Sequence, residues 1–427
     1  MAGVTRHQLS NGLTVLLKEQ HSAPVISWWV LYRIGSRNER TGQTGVSHWV
    51  EHMMFKGTEL FPGGELDKAI SREGGTWNAQ TSMDYTAYYE TMPADRIDLG
   101  LRLEADRMVN AQFLPEDVES ERTVIISERQ GSENSPLFWL GEEVRGSAFR
   151  VHGYHHEIIG DMADLQTMTR DDLYGHYQAY YTPNNAIAVA VGDFNTDAML
   201  RRVEELYGHL PARPTPRPFV RPEPEQMGER RVIVERPGST AFLEVAYHAP
   251  PATHDDWFKL AMLNSVLTGP SSSIDNKTSR LYKALVETEL AVDADGGLTQ
   301  SIDPYLYDFV ITLRDGRTHE EVEKALDEQI DRVVHENITQ AELDKAKKQA
   351  RALFAYRTER VTSQAFWLAF AENFDSYTWF DNYLARLEAV TIQDVREAAE
   401  RYLRRQKRTV GWLIPTGGED YDEEDEE

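Results

Sequence analysis

The chain has 427 residues, 41% of them hydrophobic and 27% charged, with a net charge of −25 and no cysteine. Such a chain folds as roughly two to four globular domains. It has no disulfide, thiolate metal site or cysteine nucleophile, and its surface repels nucleic acid and anionic membranes. No apolar run approaches the roughly 18–20 residues of a spanning helix, so no membrane insertion is expected. The start, Met1 to Leu9, has no apolar signal core, which points to a cytoplasmic or organelle-interior location.

In chain order, LTVLLKE from Leu13 and VISWWVLYRIG from Val25 read as two strands joined by the turn-prone QHSAP. GVSHWVEHMMFKG follows as a helix ended by Gly57, and GELDKAISREGG as a second helix stopped by Gly74 and Gly75. TWNAQTSMDYTAYYETM has the Thr, Tyr and Trp content of paired strands. ADRIDLGLRLEADRMVN and PEDVESERTVIISERQGS are helical, the latter with Pro115 in its first turn. NNAIAVAVGDF from Asn184 reads as a buried strand.

Six prolines fall between Pro211 and Pro224, so this stretch is neither helix nor central strand but a stiff extended linker, placed at 213–229. It sits near the midpoint and separates two segments that resemble each other. MTRDDLYGHYQAYYTPNNAIAVAVGD from Met168 aligns with VTIQDVREAAERYLRRQKRTVGWLIP from Val390 at an ungapped offset of 222 residues. Thr169 falls on Thr391, Leu173 on Val395, Tyr180 on Tyr402 and Val191 on Leu413. Each segment is a Thr-capped helix feeding an apolar strand. The expected organisation is two similar halves, 1–212 and 230–415, followed by a tail at 416–427. Residues 419–427 of that tail carry eight acidic groups and no basic one, the composition of a solvated, disordered segment.

The chemistry centres on His48, Glu51 and His52. Residues four apart share one helix face, so both imidazoles can reach one zinc ion at about 2.0–2.1 Å. Glu51 adjoins that face and can take a proton from a water whose pKa zinc lowers towards roughly 7. The order reverses that of the commoner His-Glu-x-x-His sites. The other reading is two histidines on an ordinary amphipathic helix; a third ligand decides between them.

GVSHWVEHMMFKGT, GGTWNAQTSMDYTAYYETM, LEADRM, ESERTVIISER and GYHHEIIGDMADLQTMTRDDLYGHYQAYYTPNNAIAVAVGDF together resemble the inverted-zincin metallopeptidases. This is the family of pitrilysin, insulin-degrading enzyme and mitochondrial processing peptidase. The resemblance covers nearly all of residues 5–200 and, more weakly, 230–415; the short chain is similar to the bacterial or processing-peptidase branch. It implies an α+β fold of two similar halves, each a mainly antiparallel sheet with helices packed on it, forming a clamshell. In that family a Glu about 76 residues after the second His is the third zinc ligand, the position of Glu128 here. A second functional Glu lies seven residues earlier, at Glu121, where it would orient a ligand. By the same resemblance the strand TWNAQT would be an open edge to which a substrate peptide adds, with Asn78 and Ala79 at the contacting positions; the alternative is an interior strand with no ligand. His152, His155 and His156 lie close enough to suggest a second metal site, but the resemblance implies a loop there with no ligand role.

The resemblance implies a zinc-dependent endopeptidase acting on short or unfolded peptides. The second half departs from that pattern. Single-chain members carry an Arg and a Tyr there that polarise the scissile carbonyl. Those positions are Val286 and Val292, and the Gly-rich segment before them is altered to GPSSSIDNKTSRLY. The chain therefore reads as the metal-bearing subunit of a heterodimer whose homologous partner supplies Arg and Tyr, with a homodimer as the other arrangement. The alternative is a non-catalytic scaffold subunit, like the core proteins of respiratory complexes, that retains the metal site.

Overall fold

The structure, a computed structural model, describes residues 3–216, 220–270 and 277–417. The acidic run from Glu419 lies outside these residues, as do 217–219 of the proline-rich stretch and 271–276 of the altered segment. Among the described residues no helix is long and apolar enough to cross a membrane.

Eleven strands are described: β1 Val4–Gln8, β2 Thr14–Glu19, β3 Val25–Tyr32, β4 Thr76–Thr81, β5 Thr86–Pro93, β6 Ala186–Gly192, β7 Arg230–Arg236, β8 Phe242–Ala249, β9 Ala291–Leu298, β10 Tyr305–Leu313 and β11 Arg408–Pro415. They form a six-stranded sheet in the order β1-β2-β6-β3-β5-β4 and a five-stranded sheet in the order β7-β11-β8-β10-β9. Without β1 the two orders are the same. In each, one parallel pair (β2 with β6, β7 with β11) is followed by antiparallel pairs to the other edge.

The 222-residue repeat survives at the level of atoms. Thr169 and Thr391 each cap a helix, Arg170–Tyr180 and Ile392–Tyr402, through a reciprocal bond with Asp172 and Asp394. The strands that follow, β6 and β11, begin at Ala186 and Arg408, again 222 apart. The fold class is therefore α+β in two similar halves. The turn at QHSAP does not make a hairpin, because β6 lies between β2 and β3.

β3 shows why its sequence lacks polar alternation. Trp28, Val30 and Tyr32 enter the main core with Trp49, Val50 and Met53. Trp29 and Leu31, on the other face, are also buried, and the helix Val361–Phe374 covers them, with Phe366 lying 5.6 Å from Trp29 between ring centroids. A strand buried on both faces reads as a continuous apolar run.

That helix corrects the expected division at 1–212 and 230–415. The chain forms two compact units that do not follow one cut: residues 352–384 belong with the first sheet, and 131–151 with the second. The helix Pro136–Ala148 packs on β7, β8 and β11. Gly411 allows the approach, since a Cβ there would lie 2.3 Å from Val144 Cγ2. Each helix packs on one sheet whichever side of the prolines it occupies in the sequence. The described residues between Pro211 and Gly228 form neither helix nor strand.

Candidate metal centre

The helix Val46–Met53 buries Val46, Trp49, Val50 and Met53, one face at 3.6-residue spacing. His48, Glu51 and His52 occupy the other face and stay half-buried. Its start is fixed from outside. Gly45 takes φ 85°, and a Cβ there would lie 2.3 Å from the Ile159 carbonyl oxygen. The carboxyl group of Glu39 accepts from the Gly45 and Ser47 backbone N–H groups at 2.7 and 2.8 Å, in place of the absent cap.

A second helix, Pro115–Glu133, brings two glutamates to the histidines. Glu128 Oε2 lies 3.9 Å from His48 Nε2 and 3.6 Å from His52 Nε2. One ligand atom from each of the three residues falls within 4.8 Å of the other two, the only such grouping found among the described residues. Glu121, two turns earlier, is 7% exposed and accepts from His52 Nδ1 at 3.0 Å, directing Nε2 towards Glu128. Its other oxygen pairs with Lys56.

The donor set fits zinc: two imidazoles and one carboxylate, with one ring braced from behind by a second carboxylate. Burial, helped by the charge of His52, pushes the His48 imidazole down to about 4, so it is neutral and able to ligate at physiological pH. At His52 burial also opposes the charged form, but the Glu121 bond and the charges of Glu128, Glu121 and Glu51 outweigh it and raise the ring. The His52 bond holds Glu121 below the usual carboxylate range, against burial and with help from Lys56. Burial raises the Glu51 carboxyl, and a bond from Thr81 partly restores it.

β4 ends its sheet, and no strand pairs with its outer edge among the described residues. Asn78 on it is exposed and Ala79 half-buried. Thr81, the last residue of the same strand, donates to Glu51 Oε2 at 2.6 Å. The structure thus groups His48, His52, Glu128, Glu121 and Glu51, with β4 alongside. Sequence reasoning missed Thr81 and Lys56, although Lys56 follows His52 by four residues and Thr81 follows Ala79 by two.

His152, His155 and His156 are in no metal-type grouping among the described residues. Their Nδ1 atoms bond to backbone: His152 to Tyr154 N, His155 to His152 O and His156 to Glu157 O. Val286 closes the helical turn Tyr282–Val286, and Val292 is 61% exposed on the edge strand β9.

Residues 14–162 match the family model described as Insulinase (Peptidase family M16), and residues 167–350 the one described as Peptidase M16 inactive domain. A Helicobacter pylori protein named zinc protease PqqE is 30% identical over 414 residues, covering 95% of this chain and 92% of its own length. The mitochondrial-processing peptidase subunit beta of Blastocladiella emersonii is 26% identical over 290 residues, 67% of this chain and 62% of that one. Among solved structures, a protease from Helicobacter pylori superposes with a TM-score of 0.92 at 29% identity, over 96% of this chain and 99% of that one. The peptidase M16 inactive domain from Pseudomonas fluorescens shares the fold, with a TM-score of 0.87 at 17% identity over 97% of this chain and 98% of that one. By these matches along nearly its whole length, the chain belongs to peptidase family M16.

Proposed function

We propose that this chain is a zinc-dependent endopeptidase for short or unfolded peptides. His48, His52 and Glu128 would hold the ion, and Glu121 would fix the His52 ring. When bound, zinc supplies a Lewis acid that lets water attack a peptide carbonyl at neutral pH. Glu51 takes the proton from the attacking water and passes it to the leaving amine. The substrate adds to the outer edge of β4 as a further strand beside Asn78 and Ala79, so backbone hydrogen bonds bind it with little regard to sequence. The observation that carries this reading is the convergence of three ligand atoms within 4.8 Å, with Glu51 tied to a strand whose outer edge pairs with no other strand among the described residues.

The test is Glu51→Gln in the full chain. It should keep zinc and lose hydrolysis of an unfolded peptide by at least about 100-fold. Hydrolysis unaffected by the change would remove Glu51 from the chemistry; no hydrolysis by either form, even with a native partner added, would favour the scaffold reading.

The second half supports a finer reading, in which this chain is the metal-bearing subunit of a two-chain enzyme. Val286 and Val292 stand where single-chain relatives would carry Arg and Tyr, and neither side chain can donate a hydrogen bond to a developing oxyanion. A homologous partner would supply both donors. Co-purification from the native source, followed by peptide hydrolysis with and without the partner found, tests it. Full activity of the chain alone would rule the arrangement out.

A further inference from the structure

We propose that Lys56 is a positioning residue for metal binding: it holds the Glu121 carboxylate in the orientation that fixes the His52 imidazole. Lys56 has this role only if His48, His52 and Glu128 bind zinc as proposed above.

The helix Val46–Met53 does not stop abruptly after His52. The N–H groups of Met54, Phe55 and Lys56 continue to bond back, to Val50 and Glu51, His52 and Met53, and Lys56 and His52 meet the same carboxylate. The backbone is then pinned. Gly57 takes φ 95°, its carbonyl accepts from Gln112 N at 3.1 Å, and Gly63 packs so close that a Cβ would lie 2.3 Å from the Lys56 carbonyl oxygen. From this anchored position Lys56 Nζ pairs with Glu121 Oε1, while Glu121 Oε2 takes the His52 Nδ1 bond.

The two oxygens of one carboxylate are thus divided between a cation and a ring. The Glu121 side chain is only 9% exposed, so little water can take the place of Lys56. A solvent-exposed pair would contribute little, but removing the cation from a buried carboxylate leaves that charge short of a partner. The carboxylate would then turn or shift, and the His52 ring, whose other nitrogen points towards Glu128, would turn with it. Outer partners of this kind typically set metal affinity by about 10–100-fold.

The experiment measures zinc Kd by chelator competition, and the visible spectrum of the cobalt(II)-loaded protein, on the full chain. The variants are Lys56→Met, Lys56→Arg, Glu121→Gln and the Lys56→Met/Glu121→Gln double, with Lys56→Gln in reserve if Lys56→Met does not fold. Lys56→Met should weaken zinc about 10-fold and alter the cobalt spectrum, Lys56→Arg should largely restore both, and Lys56→Met should add nothing once Glu121 is Gln. A Lys56→Met protein with the parent's Kd and spectrum overturns the role. So does an equal loss with and without Glu121, which would mark a structural effect alone. His52→Ala separates the two levels: if it leaves zinc binding intact, the metal centre itself is wrong; if it abolishes binding while Lys56→Met does not weaken it, only the role of Lys56 falls.

Discussion

Thr81 Oγ1 donates to Glu51 Oε2 at 2.6 Å, a side-chain bond from the edge strand to the helix that carries both histidines. The hydroxyl is presented by a rigid element. Thr81 pairs with Thr86 at the end of the β4–β5 hairpin, and the turn closes through Ser82 N to Tyr85 O at 2.8 Å. The carbonyls of Ser82 and Met83 in turn accept from Ser36 N and Arg37 N. One oxygen of Glu51 is therefore held by the hydroxyl, and under the proposed function the other would take the proton of the attacking water. Thr81→Val keeps the shape and removes the donor. We expect kcat to fall roughly 10- to 100-fold with KM and zinc content unchanged, and Thr81→Ser to recover most of it. Burial raises the Glu51 carboxyl and the Thr81 bond lowers it, so without the bond the base ionises at higher pH. The acid limb of the kcat/KM profile should move upward in Thr81→Val; an unmoved limb would mean that the hydroxyl does not act through Glu51.

The two glutamates of the helix Pro115–Glu133 should separate cleanly by zinc affinity. Glu121→Ala removes the brace behind His52 and should weaken zinc by about 10–100-fold. Glu128→Ala removes the proposed third ligand altogether and should weaken it further. Both are read in one chelator-competition series, and the reverse ranking would exchange their roles.

How much of this was legible in the sequence depended on distance along the chain. His48 and His52 announce themselves because four residues is one helical turn. Glu128 does not: it is one of several glutamates on its helix, and only the family spacing singled it out. The repeat was legible because a capping Thr and an apolar strand are local signals, and 222 residues apart they recur with the same partners. The place of β6 between β2 and β3 was not, since strand patterns give no neighbour order. Nor was the exchange of helices, because an apolar face states that it will be buried and not against which sheet. The Lys56–Glu121 and Thr81–Glu51 pairs are long-range polar contacts, which no periodicity encodes.

The exchange itself can be tested. Leu140 is fully buried on the helix Pro136–Ala148, and its Cδ1 lies 2.8 Å from where a Gly411 Cβ would be. Leu140→Ala should cost about 2–5 kcal/mol in urea unfolding. Amide exchange should quicken in β7, β8 and β11, far along the chain, while β3 and β6 keep their protection. Leu368→Ala, at a fully buried position on the helix Val361–Phe374, should do the opposite. Faster exchange in β3 and β6 of the Leu140 variant would contradict the packing.

Asp308 gives the stability a pH dependence with a definite sign. It lies in β10 opposite Gly297, so close that a Cβ there would be 3.0 Å from Asp308 Oδ1. Burial pushes its carboxyl up to about 6, against the opposing pull of its own backbone N–H and of Arg145. An unfolded aspartate ionises near pH 4. Below that pH both states hold the proton and the group contributes no penalty. Between about pH 4 and 6 the unfolded chain releases it while the folded one retains it, so stability falls as pH rises and levels off above that window. Asp308→Asn cannot ionise and removes this slope. The variant should match the parent near pH 4 and exceed it at pH 7.5 by roughly 1–3 kcal/mol, read from urea midpoints at the two pH values. If the difference between variant and parent is the same at both, Asp308 does not hold its proton in the folded state.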